Sequence, residues 1–194
     1  HAADDLALMS VLPGMTVVAP GDPNEVVQLF PQLFNLPGPS YFTVGRFGEP
    51  SYEASEPAIL GRARLLRKGE QIAVIGTGEI ANEILKALKQ LELEKIFPVA
   101  YQMHTVKPLD TDTLDILSKE FHTLIVVEEH VPNGGLWAAI NAWRANHEKA
   151  TRLLRLGPPD SFALGNLKQN ELRRRLNYDA NAIANTCRLL WKKK

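Results

Sequence analysis

The sequence predicts an α/β protein in two modules, the larger one built on a mostly parallel sheet. Three observations carry that reading. Short apolar, β-rich runs alternate with helix-patterned segments along most of the chain. The run Gln71-Ile-Ala-Val-Ile75 ends in Gly76-Thr77-Gly78 and turns at once into a helical pattern, which is the opening half of a βαβ unit. Between Gly45 and Gly61, Gly48, Pro50, Ser51, Ser55 and Pro57 interrupt any periodicity, as in a linker. The chain therefore divides into a partial α/β module over residues 1–46, a linker over 47–61, and a compact three-layer domain over 62–194.

In the first module, Asp4 and Asp5 can cap a short helix through Met9, stopped by Pro13-Gly14, and Met15 to Ala19 reads as a strand. Asp22-Pro23-Asn24-Glu25 is a strong helix start. Asp22 is the N-cap, Pro23 fits the first helical position, and Glu25 is the reciprocal partner of a capping box. Val26, Val27, Leu29, Phe30, Leu33 and Phe34 follow at helical spacing until Pro37-Gly38-Pro39, and Ser40 to Val44 is the next strand. Two β/α units are too few to close a core, so further strands are expected upstream of His1 or on a partner chain. The absence of an initiating Met, with a helical pattern starting at once, suggests a chain that begins inside a larger unit.

The second module reads as an edge strand at Ala63–Leu66, a strand at Ile72–Ile75, a helix at Ile80–Leu91 and a strand at Ile96–Gln102. A helix at Asp112–Glu120 follows, capped by Thr111 or Asp112, and then a strand at Leu124–Glu128. A helix at Leu136–His147, a strand at Leu153–Leu156 and a last helix from Asp179 to Trp191 complete it.

Composition narrows the function classes. Lys plus Arg equals Asp plus Glu at 22 each, so no overall field recruits nucleic acid or an anionic membrane. Arg173-Arg174-Arg175 and Lys192 to Lys194 read as solvated surface and a terminal tail. The one cysteine, Cys187, rules out an intrachain disulfide and fits a reducing, cytoplasmic setting. Its place on a helix face points to buried packing. No apolar run approaches the ~20 residues a membrane span needs.

The glycine turn has the Gly-x-Gly-x-x-Ala form of a dinucleotide fold, and the helix behind it offers backbone N–H groups to an anion. A nicotinamide site also needs an acid at the tip of the second strand, about 20 residues on. Here that tip reads Gln102-Met103-His104-Thr105, so the turn is read as scaffold. Ligands of such sheets bind at the carboxyl ends of strands. Gly76, Gly78, His104, Glu128 and His130 are thus the candidate rim residues. Glu128 or Glu129 could pair with His104 as a general base, and His130 beside two acids could hold a metal. No helix-spaced His pair or Cys cluster supports the metal, and structural hydrogen bonding or a subunit interface is the stronger reading of all five.

Taken in order, these segments resemble one family. His1-Ala-Ala-Asp-Asp, Leu12-Pro-Gly-Met-Thr-Val-Val-Ala-Pro20, Asp22-Pro-Asn-Glu25 and Tyr41-Phe-Thr-Val-Gly-Arg46 resemble the second half of the pyrimidine-binding domain of transketolases. Gly76-Thr-Gly-Glu79, His104-Thr-Val-Lys-Pro-Leu-Asp110, Val127-Glu-Glu-His130, Gly134-Gly-Leu136 and Leu156-Gly-Pro-Pro-Asp160 resemble the transketolase C-terminal domain. The Val-Gly-Arg and His-Thr-Val-Lys-Pro-Leu-Asp runs are closer to transketolases, particularly those split over two polypeptides. Deoxyxylulose-phosphate synthase and the β-subunits of 2-oxo-acid dehydrogenases share the architecture.

The resemblance implies thiamine diphosphate and magnesium in the complete enzyme, and transfer of a two-carbon ketol unit between sugar phosphates. It implies a homodimer and an upstream segment or partner subunit, with none of these cofactors expected on this chain alone. Arg46 matches the arginine the family uses on the sugar phosphate, where a planar fork of donors suits the ligand. His1 follows the position of the first His in the family's Thr-His-His or Thr-His-Gln motif and is at most a marginal catalytic candidate. The Gly-Asp-Gly motif that holds magnesium and diphosphate is absent, and Ser10 stands where relatives tend to carry Arg. A non-catalytic module that binds a nucleotide or phosphate at Gly76–Gly78 is the rival class.

Overall fold

The structure, a computed structural model, describes residues 3–45, 50–53, 56–147, 151–162, 165 and 167–192. The first module contains α1 (Asp5–Ser10), β1 (Thr16–Val18), α2 (Pro23–Phe34) and β2 (Ser40–Phe42). β1 and β2 run parallel, with Thr16 opposite Ser40 and Val18 opposite Phe42. Alternation along β1 decides which helix each side chain meets. Val17 and Ala19 pack with Leu6 of α1, while Val18 packs with Leu29 and Leu33 of α2. α2 opens as its sequence requires, with the Glu25 N–H donating to Asp22 Oδ1 at 2.9 Å. The reciprocal half of the box is displaced, because the Glu25 carboxylate accepts from Gly21 N–H at 2.8 Å. Asp4 precedes α1 without a side-chain cap; Asp5 instead accepts from Leu6 N–H and from the Tyr41 hydroxyl.

The larger sheet holds β3 (Arg64–Arg67), β4 (Ile72–Gly76), β5 (Val99–Gln102), β7 (Thr123–Val127) and β8 (Arg152–Leu156) in the order β3-β5-β4-β7-β8. Every pairing is parallel except β3 with β5, which closes one edge. β4 and β7 are buried along their whole length, as continuous apolar strands between two helical layers must be. One layer is α3 (Ala81–Glu92), entered by a 3-10 turn over Gly78–Ile80, together with α6 (Gln169–Arg175) and α7 (Ala180–Leu190). There Ile84, Leu88 and Leu91 meet Ile183 and Cys187. The other layer is α4 (Thr111–Glu120) and α5 (Leu136–Arg144), with Leu114, Leu117, Ile140 and Trp143 against the sheet. Cys187 is fully buried, and burial pushes its thiol up to about 12.

Several boundaries differ from the sequence reading for local reasons. The strand expected from Ile96 begins at Val99, because Ile96 N–H still donates to Leu91 O and Lys95 takes a positive φ of 60° as α3 unwinds. α4 is capped by Asp110 rather than by Thr111 or Asp112. One Asp110 oxygen accepts from Thr113 N–H, and the other takes both Ala63 N–H and the Thr113 hydroxyl. Arg173 is buried, not solvated. It forms a two-pronged ion pair with Glu129 at 2.8 and 2.6 Å and lies 3.8 Å from Glu83.

One strand belongs to both modules. β6 (Thr105–Lys107) leaves the tip of β5 and pairs antiparallel with β1, giving a second sheet in the order β2-β1-β6. A strand that the sequence reading sought upstream of His1 or on a partner is thus supplied by the second module. Lys107 Nζ donates to the carbonyls of Ser10 (2.8 Å) and Leu12 (2.7 Å), which closes the end of α1. The linker segment is strapped down as well. Gln28 Oε1 accepts from Ala58 N–H, Gln32 Oε1 accepts from Leu60 N–H, and Gln32 Nε2 donates to Ala58 O. Ile84 is fully buried at the centre of the α3–α7 layer. Ile84→Ala is expected to cost about 3 kcal/mol in a urea melt, whereas Leu189→Ala on the exposed face of α7 stays within about 0.5 kcal/mol.

Candidate functional site

The predicted rim lies at the carboxyl ends of β4, β5 and β7, and the structure brings the described candidates there together. The first module sits on top of them. Gly78, at φ +73°, donates its N–H to Ala19 O at 3.0 Å, and Ala19 N–H donates to His104 O at 2.7 Å. Gln102 Nε2 holds the Gly78 carbonyl at 3.1 Å. A Cβ on Gly76 would stand 2.5 Å from Ile84 Cδ1, so that glycine lets α3 approach the sheet. The backbone donor that the sequence offers to an anion is therefore engaged by the chain's own carbonyl.

His130 is likewise committed. Ala7 N–H donates to its Nε2 at 3.2 Å and its Nδ1 sits 2.8 Å from Val131 O, which fixes the neutral tautomer with the proton on Nδ1. Both ring nitrogens are thus engaged by backbone groups, Nε2 at the junction with α1, and neither is free for a cation. Among the described residues, no group of three or more His, Cys, Asp or Glu side chains converges on a cation site. The pairing of His104 with Glu128 or Glu129 is also not formed. Glu128 accepts from Arg155 Nε at 2.8 Å and from Trp137 N–H at 3.2 Å, and Glu129 takes Arg173. Burial raises the Glu128 carboxyl above the usual range, with Arg155 opposing.

His104 is fully buried. Its Nδ1 lies 3.0 Å from Thr105 Oγ1, which also accepts from Gly61 N–H, and its Nε2 has no protein partner. Burial lowers its pKa to about 4, and the nearby Arg64 guanidinium pushes in the same direction. It is a neutral structural imidazole at physiological pH. His1 and Arg46 lie outside the described residues.

Sequence reasoning missed a buried polar cluster at the same junction. Glu25 accepts from Gly21 N–H, the Tyr52 hydroxyl (2.9 Å) and Arg64 (3.2 Å), and Asp22 Oδ2 accepts from Tyr52 N–H at 3.0 Å. Burial raises the Glu25 carboxyl and the Tyr52 phenol. Arg64 pairs in register with Gln102, which carries its guanidinium to α2. No local signal announces this set, since its members come from α2, the linker and β3. An open cavity of about 380 Å³ adjoins this cluster at β3, lined in part by Arg64, Glu56, Arg62, Leu65 and Tyr101, and none of the five rim candidates lines it. The described rim residues form the joint between the modules.

The family model described as "Transketolase, C-terminal domain" matches residues 61–183, more than half of the chain. The chain belongs to the transketolase C-terminal domain family. A "1-deoxy-D-xylulose-5-phosphate synthase" of Chlorobium phaeovibrioides is 32% identical over 198 residues, covering 98% of this chain and 31% of that protein. A "Putative transketolase C-terminal section" of Methanocaldococcus jannaschii is 32% identical over 184 residues, covering 93% of this chain and 57% of that one. Among solved structures, one described as "Split gene transketolase, inactive beta4 tetramer" superposes with a TM-score of 0.86 at 26% identity, over 98% of this chain and 61% of its own. The chain thus spans less than a third of the length of the synthases it matches. The transketolase-like α/β fold and the family expected from the ordered motifs are both shown.

In this transketolase-family chain, neutral buried His104 makes stability acid-sensitive. Below pH 6.5 the unfolded imidazole takes up a proton that the folded one refuses until about 4, so stability falls as pH drops through that interval. The loss attributable to His104 is expected to be about 3 kcal/mol. Urea melts from pH 7 to pH 4 should show it as a steeper decline in the wild type than in His104→Asn.

Proposed function

We propose that this chain is the C-terminal part of a thiamine-diphosphate-dependent transketolase. It moves a two-carbon ketol unit between sugar phosphates only when joined to the upstream part of the enzyme. The observation that carries the reading is the shared sheet. β6 of the C-terminal domain extends the β1–β2 sheet, and the Gly78 N–H, the His104 carbonyl and the His130 ring bind the first module beside it. The family resemblance of both modules, in this order, supports the same assignment.

The described residues do not fit a complete cofactor site. The glycine turn donates to Ala19, no acidic group converges for magnesium, and Gly-Asp-Gly is absent from the sequence. Thiamine diphosphate and magnesium are therefore assigned to the upstream part, and no chemical step is routed through this chain's rim. Its contribution to the reaction is Arg46 on the sugar phosphate, beyond the end of β2, with His1 as a marginal second group. A cytoplasmic homodimer is the assembly proposed, as the resemblance implies. A separate nucleotide-binding role is disfavoured because the Gly78 N–H is already engaged.

A second reading keeps the architecture and changes the product to 1-deoxy-D-xylulose 5-phosphate. The synthases among the relatives favour it. The test mixes purified full chain with the upstream part of the enzyme and follows both products. Ketol transfer by the mixture, and none by either piece alone, is expected. Ketol transfer by this chain alone overturns the proposal, and formation of only 1-deoxy-D-xylulose 5-phosphate moves it to the second reading. In the active mixture, Arg46→Ala should raise KM for a phosphorylated acceptor about 10- to 100-fold, as loss of a charge-assisted bidentate contact would, and leave KM for a non-phosphorylated one within about 2-fold.

A further inference from the structure

The cavity at β3 carries two opposite charges that do not meet. Glu56 and Arg62 both line it and both are exposed, yet neither side chain forms an ion pair or hydrogen bond among the described residues. Arg64, the other guanidinium of the lining, is already held by Glu25 and by the Glu56 carbonyl. The part-buried Tyr101 phenol also lines the space and has no hydrogen-bond partner among the described residues. Burial raises that phenol, and the carboxylates of Glu120, Glu56 and Asp110 raise it further, so its surroundings are electronegative. Pro57, Ile59 and Leu65 add an apolar wall, with Ile59 42% exposed.

The wall is held in place before anything binds. Arg64 Nε donates to Glu56 O at 2.8 Å, while Gln28 and Gln32 of α2 hold Ala58 and Leu60. Thr105 Oγ1 of β6 accepts from Gly61 N–H, and Asp110 accepts from Ala63 N–H. A backbone ordered in advance lowers the cost of binding. A space of about 380 Å³ is in the range of small-molecule sites. A phosphate suits it poorly, because three carboxylates surround Tyr101 and Arg64 is neutralised by Glu25. A simple cation would face the unpaired Arg62. A small molecule that carries both charges on an aliphatic body satisfies every group.

We propose that this cavity binds a free α-amino acid with an aliphatic side chain. Its carboxylate takes Arg62, its ammonium donates to Glu56 and the Tyr101 phenol oxygen, and its side chain covers Ile59 and Leu65. The wall it touches is strapped to α2 of the first module and to β6 of the second, so the occupant sits on the segment that joins them. The inference goes beyond the transketolase reading, and its test needs no ketol transfer.

The test is an NMR titration of the full chain, following Tyr101 and Ile59, with four probes. L-leucine carries both charges, 4-methylpentanoate lacks the ammonium, L-leucinamide lacks the carboxylate, and inorganic phosphate stands for a plain anion. L-leucine should bind with a Kd of about 0.1–1 mM, and each of the other three at least 10-fold more weakly. Arg62→Ala and Glu56→Gln should each weaken L-leucine at least 10-fold and leave the melting temperature unchanged, since neither side chain has a partner to lose. If a variant melts early, the ranking of the four probes on the wild-type chain decides. Absence of L-leucine binding at about 10 mM overturns the proposal. So do 4-methylpentanoate or L-leucinamide binding as tightly as L-leucine, or stably folded variants that bind L-leucine normally. Phosphate binding tighter than L-leucine would give the cavity to an anion and overturn it as well.

Discussion

The structure turns on one short strand. β6 leaves the tip of a parallel sheet, reverses direction and becomes the edge of a different sheet. Three residues with their ladder bonds would be a weak tie alone. Lys107 strengthens it by closing the carbonyl end of α1, and Thr105 does so by accepting from Gly61 N–H. Because β1 lies between β2 and β6, removing β6 would expose the face of β1 that Val106 shares with Leu6 and Val17. The first module owes part of its core to the second.

That dependence explains the polar chemistry at the rim. In a doubly wound sheet the strand tips are where ligands usually find glycine turns and free side chains. Here the same positions meet a second protein surface. Gly78 binds Ala19, His130 accepts from Ala7, and a Cβ on Gly134 would fall 2.4 Å from the Ala7 side chain. Glu25 and Arg64 complete the joint as a buried pair with every carboxylate oxygen engaged. Such a pair adds little net stability over an apolar replacement, but losing one partner leaves a buried charge and costs about 3–5 kcal/mol. It fixes how the modules sit more than how strongly they hold.

The assembly is consistent with a chain that works as part of something larger. Its larger domain satisfies its own needs, with two helical layers over the parallel sheet. The smaller module does not, since α2 keeps an apolar face in solvent and the outer edge of β2 pairs with no strand among the described residues.

The alternation of apolar strand runs and helical periods sufficed to determine the fold class, because burial on both sheet faces demands it. Capping chemistry placed α2 and α7, as Asp22 and Asp179 each accept from the N–H three residues on. The ordered motifs carried the family. Tertiary structure alone decided what the motifs do here. Nothing near Gly78 in sequence shows that the Ala19 carbonyl will accept its N–H, and nothing near His104 shows that the strand after it will pair into another sheet. The Glu25–Tyr52–Arg64 cluster was invisible for the same reason. Its members are far apart along the chain, and a hydrogen bond between distant residues leaves no periodicity to read.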